Sequence, residues 1–113
     1  MKKKLYIAGC GGMLGKAFYE IFNSEYELKA TDKEVNENWL EHLDFRDKNQ
    51  YYEEVKNFNA DYLFHLGALT DLEYCESNPK ETEETNLESV ITATHISNDL
   101  KIPILFISTA GIF

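Results

Sequence analysis

Cysteine, proline and positive charge are all scarce in this sequence. The 2 cysteines among 113 residues, Cys10 and Cys75, lie in unrelated contexts. They cannot build the disulfide framework of a small secreted domain, and they lack the paired spacing of a zinc site. Both read as reduced thiols. The three histidines (His42, His65 and His95) are scattered and suggest no metal either. With only 2 prolines, no Pro-rich linker divides the chain, and no repeat or low-complexity segment is found. Basic residues number 11 against 20 acidic ones, for a net charge of -9. A nucleic-acid face would need basic clustering, and the one cluster, Lys2-Lys3-Lys4, abuts a strand as a solvated entry. No apolar run approaches the roughly 20 residues that a bilayer span requires, and no apolar signal core follows the lysines. The expectation is a cytoplasmic protein without membrane or nucleic-acid partners.

What is present is an ordinary globular composition, 43% hydrophobic and 27% charged, in a length that fits one domain. Leu5, Tyr6 and Ile7 form a continuous apolar run, the mark of a strand buried on both faces. From Met13 to Phe22 the residues Met13, Leu14, Ala17, Phe18, Ile21 and Phe22 recur at helical steps and predict one buried face. A second strand is expected from Tyr26 to Thr31. Residues 33–43 are polar and irregular apart from Trp39, Leu40 and Leu43, which dock the segment. Asp47 with Gln50 has the form of a capping box and opens a helix that buries Tyr51, Val55 and Phe58. Residues 61–66 read as the third strand. Asn78-Pro79-Lys80-Glu81 starts a long helix with a predicted buried stripe of Leu87, Val90, Ile91 and Thr94. Pro103 opens the last strand, Ile104 to Ile107. This alternation predicts an α/β fold: a doubly wound parallel sheet of about four strands, in order 3-2-1-4, with helices on both faces.

The glycines carry the chemistry. Gly9, Gly12 and Gly15 stand at the spacing G-x-x-G-x-x-G between the first strand and the first helix. There, backbone N–H groups and the positive end of a helix dipole converge on a point that suits a phosphate. An ordinary glycine-rich βα turn has the same composition. Asp32 ends the second strand roughly 20 residues on, where a carboxylate accepts hydrogen bonds from a dinucleotide ribose and repels a 2′-phosphate. That favours NAD over NADP, although Lys33 beside it softens the discrimination. An Asp that simply ends a strand is the plainer alternative. Gly67-Ala68-Leu69-Thr70, at the carboxyl end of the next strand, fits either a cofactor edge or a tight turn.

Taken together and in order, these residues resemble the extended short-chain dehydrogenase/reductase family, and within it the dTDP-4-dehydrorhamnose reductase-like enzymes of dTDP-rhamnose biosynthesis. The likeness covers the whole chain. It rests on the glycine loop, on Asp32, on Asp44 with Asp47, on the segment from His65 to Asp71, on Asn86, and on the segment from Ser108 to Phe113. Gly67 stands where the family usually has Ala, and Ala110 where Asp is common. The resemblance implies a Rossmann-like fold that binds NAD or NADP through Gly9, Gly11, Gly12, Met13, Leu14, Asp32, Asp44, Phe45, Leu66, Gly67, Ala68, Thr70 and Asn86. It implies that the Thr109 hydroxyl, with Ser108 beside it, orients a substrate carbonyl.

In the family the proton comes from a Tyr-x-x-x-Lys pair beyond that strand, and this chain stops at Phe113. The expectation is therefore the N-terminal, dinucleotide-binding part of a longer NAD(P)-dependent nucleotide-sugar oxidoreductase, inactive alone. An epimerase or dehydratase of the same family, or a non-catalytic nucleotide-binding module, is the alternative. The pair Tyr52 and Lys56 reads as a chance match in the wrong structural context. An apolar last strand at a sheet edge predicts self-association, through residues 102–113 or through the long helix.

Overall fold

The apolar run Leu5-Tyr6-Ile7-Ala8 is wholly buried in strand β1 (Lys3–Ala8). It lies at the centre of a parallel sheet, where side chains of both faces must be covered. The computed structural model describes residues 2–9, 13–33, 35, 37–66 and 79–106. Among them the remaining elements are α1 (Met13–Phe22), β2 (Tyr26–Asp32), β3 (Leu40–His42), α2 (Lys48–Phe58), β4 (Tyr62–His65), α3 (Pro79–Leu100) and β5 (Ile104–Phe106). The strands pair in parallel in the order β3-β2-β1-β4-β5.

The Rossmann-like doubly wound arrangement is the one expected, with five strands in place of about four. The extra strand is β3. It takes third place in the chain, so the run at 61–66 becomes β4 and pairs with β1 rather than with β2. Leu40 is the only buried residue of β3, and three residues with one inward side chain carry no readable period.

Alternation along β1 divides the core into two layers. Leu5 and Ile7 face α1 together with Ala30, Leu40 and Leu66, and Phe18, Tyr19 and Phe22 pack against them. Tyr6 and Ala8 face α2 and α3, where they meet Leu63, Tyr51, Val55, Ala93 and Ile96. Trp39 stacks on Tyr19 with ring centroids 4.4 Å apart, and so docks the irregular segment as expected.

Helix α2 begins on its predicted cap: the Asp47 carboxylate accepts the Gln50 N–H at 3.1 Å. It ends on Asn59 in the left-handed region, φ 61°. Helix α3 begins at Pro79, as the sequence indicates; Asn78, its expected cap, lies outside the described residues.

Two predicted stripes are corrected. On α1, Ala17 and Ile21 are exposed and the packing falls to Phe18, Tyr19 and Phe22. On α3, Leu87 and Ile91 are each 59% exposed, while Ser89, Thr92, Ala93, Ile96 and Ser97 are buried. The α3 surface toward the sheet is made of small and hydroxyl side chains that allow close approach, and hydroxyls carry no hydropathy signal. Substitution separates the two faces. Ile96→Ala should cost about 2–4 kcal/mol in urea denaturation through the cavity it leaves, whereas Ile91→Ala should stay within about 0.5 kcal/mol.

Candidate functional site

The register brings the carboxyl ends of the strands to one level. Ala8 pairs with Thr31 on one side and with His65 on the other. Gly9 leaves β1 with φ 80°, a conformation that a Cβ would penalise, and its N–H donates to the Thr31 carbonyl at 3.0 Å. The Leu66 N–H donates to the Ala8 carbonyl at 2.8 Å, and the Leu43 N–H to the Asp32 carbonyl at 2.9 Å. Gly9, Asp32, the 43–45 loop and Leu66 thus share the edge at which parallel sheets of this kind bind ligands.

Of the residues expected at the site, the structure brings together Gly9, Asp32, Asp44, Phe45 and Leu66. Gly15 lies buried in the first turns of α1. Gly11, Gly12, Gly67, Ala68, Thr70, Ser108 and Thr109 lie outside the described residues, and the side chains of Met13, Leu14 and Asn86 do as well.

Asp44 at this edge faces a cation. Arg46 clasps the Asp44 carboxylate through Nε (3.0 and 3.2 Å) and Nη2 (2.8 Å), and its backbone N–H adds a bond at 3.0 Å. These hydrogen bonds, with a smaller contribution from the charge of Lys33, hold the Asp44 carboxyl below the usual carboxylate range. The carboxylate is therefore charged at neutral pH.

Behind this edge lies a buried polar chain that hydropathy alone would not reveal. The Tyr51 hydroxyl and His65 Nδ1 are 2.8 Å apart, and Ser89 Oγ lies 3.1 Å from His65 Nε2. Ser89 also lines a cleft of about 70 Å³ with Phe45, Arg46, Lys48, Glu88 and Thr92. Burial pushes the His65 imidazole down to about 4 and the Tyr51 phenol well up. The sequence signal that could have found His65 was its place as the last residue of an apolar strand.

Tyr52 and Lys56 sit elsewhere, on α2. The Tyr52 hydroxyl donates to Asp99 of α3, which raises the phenol, and the Lys56 ammonium lies 5.9 Å from the Tyr52 ring centre. A proton-donating Tyr of the family requires the opposite direction. Among the described residues no group of side chains could hold a metal ion, and no helix is long and apolar enough to cross a membrane.

Comparison with known proteins now bears on this edge. The family model described as "RmlD substrate binding domain" matches residues 3–113. The chain belongs to that family. Among solved structures it is similar to L-threonine dehydrogenase from Clostridium difficile, with 27% identity and a TM-score of 0.84 over 93% of this chain and 36% of that one. It is similar also to dTDP-4-dehydrorhamnose reductase from Bacillus anthracis in complex with NADP (23%, TM-score 0.80, 96% and 36% covered). A hypothetical dTDP-4-dehydrorhamnose reductase from Sulfolobus tokodaii shares the fold too (20%, TM-score 0.78, 96% and 39% covered). The chain spans 36% to 39% of the length of these three proteins. No curated protein matches it. The family rests on the matching model, and the solved structures show the fold.

His65 makes stability depend on pH. The unfolded imidazole titrates near 6.5 and the folded one near 4, so the unfolded chain takes up its proton first. Stability from this group is complete above pH 6.5 and is lost as pH falls toward 4, by about 3 kcal/mol in all. Urea denaturation between pH 7 and 4.5 should show this slope, and His65→Gln should flatten it. Equal slopes in the two proteins would refute the assignment.

Proposed function

We propose that the chain is the dinucleotide-binding part of an NAD(P)-dependent nucleotide-sugar oxidoreductase, dTDP-4-dehydrorhamnose reductase-like, and does not turn over substrate by itself. The observation that carries this reading is Gly9 at φ 80°, at the end of a central strand and level with Asp32, Asp44 and Leu66. A Cβ at position 9 would fill the space a diphosphate needs beside the start of α1. The residues fit the cofactor. Gly9, Gly11 and Gly12, with the backbone of Met13 and Leu14, would cradle the diphosphate. Asp32 would accept the ribose hydroxyls, Asp44 and Phe45 would meet the adenine, and Leu66, Gly67, Ala68, Thr70 and Asn86 would flank the rest.

Bound NAD or NADP would supply the hydride for a carbonyl substrate. This chain's own part in that chemistry is Thr109, with Ser108 as second choice, orienting the carbonyl oxygen. The proton donor would come from a Tyr-x-x-x-Lys pair outside the chain. A 4-keto nucleotide sugar is the proposed substrate of the whole enzyme. The likeness to L-threonine dehydrogenase at 27% identity supports a second reading, in which the whole enzyme oxidises a small amino alcohol.

Asp32 supports NAD as the preferred cofactor, and Lys33 beside it tempers the preference. Calorimetric titration should find binding of NAD with weaker binding of NADP. Gly9→Val should lose more than about tenfold in affinity for both, because the side chain occupies the diphosphate approach. Asp32→Ala should lose about tenfold for NAD alone, the weight of its ribose hydrogen bonds. A chain that binds neither dinucleotide would exclude the reading.

We also propose that the chain self-associates. Leu87 and Ile91 on α3, and Leu105 and Phe106 on β5, the edge strand among the described residues, are exposed apolar side chains, and an apolar strand edge recruits partners. Sedimentation velocity should return a mass above that of the monomer and revert toward it in Leu87→Ser/Ile91→Ser or Leu105→Lys. A monomer at millimolar concentration would contradict it.

A further inference from the structure

We propose that His65 is a positioning residue for the adenine end of the dinucleotide, acting through the ring of Phe45; this rests on the dinucleotide reading above. Four elements meet on the imidazole. Phe45, in the loop between β3 and α2, stands edge-on to it with centroids 5.3 Å apart. Tyr51 of α2 stacks on it at 5.8 Å, and Phe106 of β5 approaches edge-on at 6.0 Å. Ser89 of α3 completes the set through its hydrogen-bond contact at Nε2.

An apolar side chain of similar size would fill this space without needing any partner. A buried imidazole is costly unless both ring nitrogens are satisfied. What it adds in return is orientation. Tyr51 at Nδ1 and Ser89 at Nε2 hold the ring from opposite ends, so it can neither flip nor tilt without breaking a bond. A neutral imidazole has one donor and one acceptor, so the two hydroxyls complete a directed chain through the ring.

The position of that rigid ring matters because of what lies on it. Phe45 and Ser89, both in contact with His65, line the same cleft. Arg46, which holds the Asp44 carboxylate proposed for the adenine, lines that cleft too. Phe45 is only half-buried and sits on a loop. The fixed imidazole edge therefore sets the plane against which an adenine ring packs.

The test uses the whole chain and two variants that each remove one bond of His65 while leaving its ring packed, Tyr51→Phe and Ser89→Ala. Circular dichroism checks that both are folded. Calorimetry with 5′-AMP should show affinity reduced about three- to tenfold in each, as expected for one lost hydrogen bond. Affinity for nicotinamide mononucleotide should be unchanged. Histidine ring ¹⁵N shifts should report a single tautomer for His65 in the unsubstituted chain and a mixture in the variants. Unchanged AMP affinity in either folded variant, or equal weakening of both half-ligands, overturns this inference while the dinucleotide reading stands. A chain that binds neither AMP nor NAD nor NADP overturns both.

Discussion

The register of β1 between β2 and β4 is the constraint on which the rest of the structure depends. Ala8 is opposite Thr31 and His65 at once, and its carbonyl receives the Leu66 N–H. Side chains alternate with a period of two, so a slip by one residue would turn Leu5 and Ile7 toward α2 and expel Tyr6 from its place between Tyr51 and Phe58. The same slip would move Gly9 out of line with Asp32. Core packing and site geometry are thus two readings of one alignment. The buried Thr31 hydroxyl reinforces it by donating to the Ile7 carbonyl at 2.9 Å.

Cations at this edge offset its acids. A chain with a net charge of -9 repels a dinucleotide at long range, so attraction has to be local. Arg46 and Lys33 offset the negative charge of Asp44 and Asp32 there. Charge-assisted bonds from a planar guanidinium also fix the carboxylate in one orientation, which a mobile lysine would not.

Local rules made much of this legible in the sequence. The continuous apolar run of β1, the capping pair Asp47 and Gln50, and Pro79 at the first turn of α3 each act over a few residues, and each sits where it was expected. Gly9, Asp32 and Leu66 were legible at one edge because they lie at or just past the ends of β1, β2 and β4, whereas Asp44 and Phe45 came only from the family resemblance, since β3 before them was not foreseen. What escaped was set by tertiary context. β3 is too short to show a period. The inward face of α3 uses Ser89, Ala93 and Ser97, which hydropathy ranks below the exposed Leu87 and Ile91. His65 drew notice as part of a family-like segment, but its hydrogen bonds to Tyr51 and Ser89 join residues 14 and 24 positions away, beyond the reach of any local pattern.

The central placement of β1 also governs the order in which the chain can fold. Its first partner, β2, follows after one helix, yet its other edge waits for Asp61, whose carboxylate accepts the Lys4 N–H across 57 positions of sequence. During synthesis the most deeply buried strand is therefore made first and closed late. Until β4 emerges, Leu5, Tyr6 and Ile7 have an open side, and loop closure must be overcome before that contact forms. The lysines at the start of this strand, Lys2 just before it and Lys3 and Lys4 within it, give the waiting segment a charged flank, a safeguard against pairing with another nascent chain.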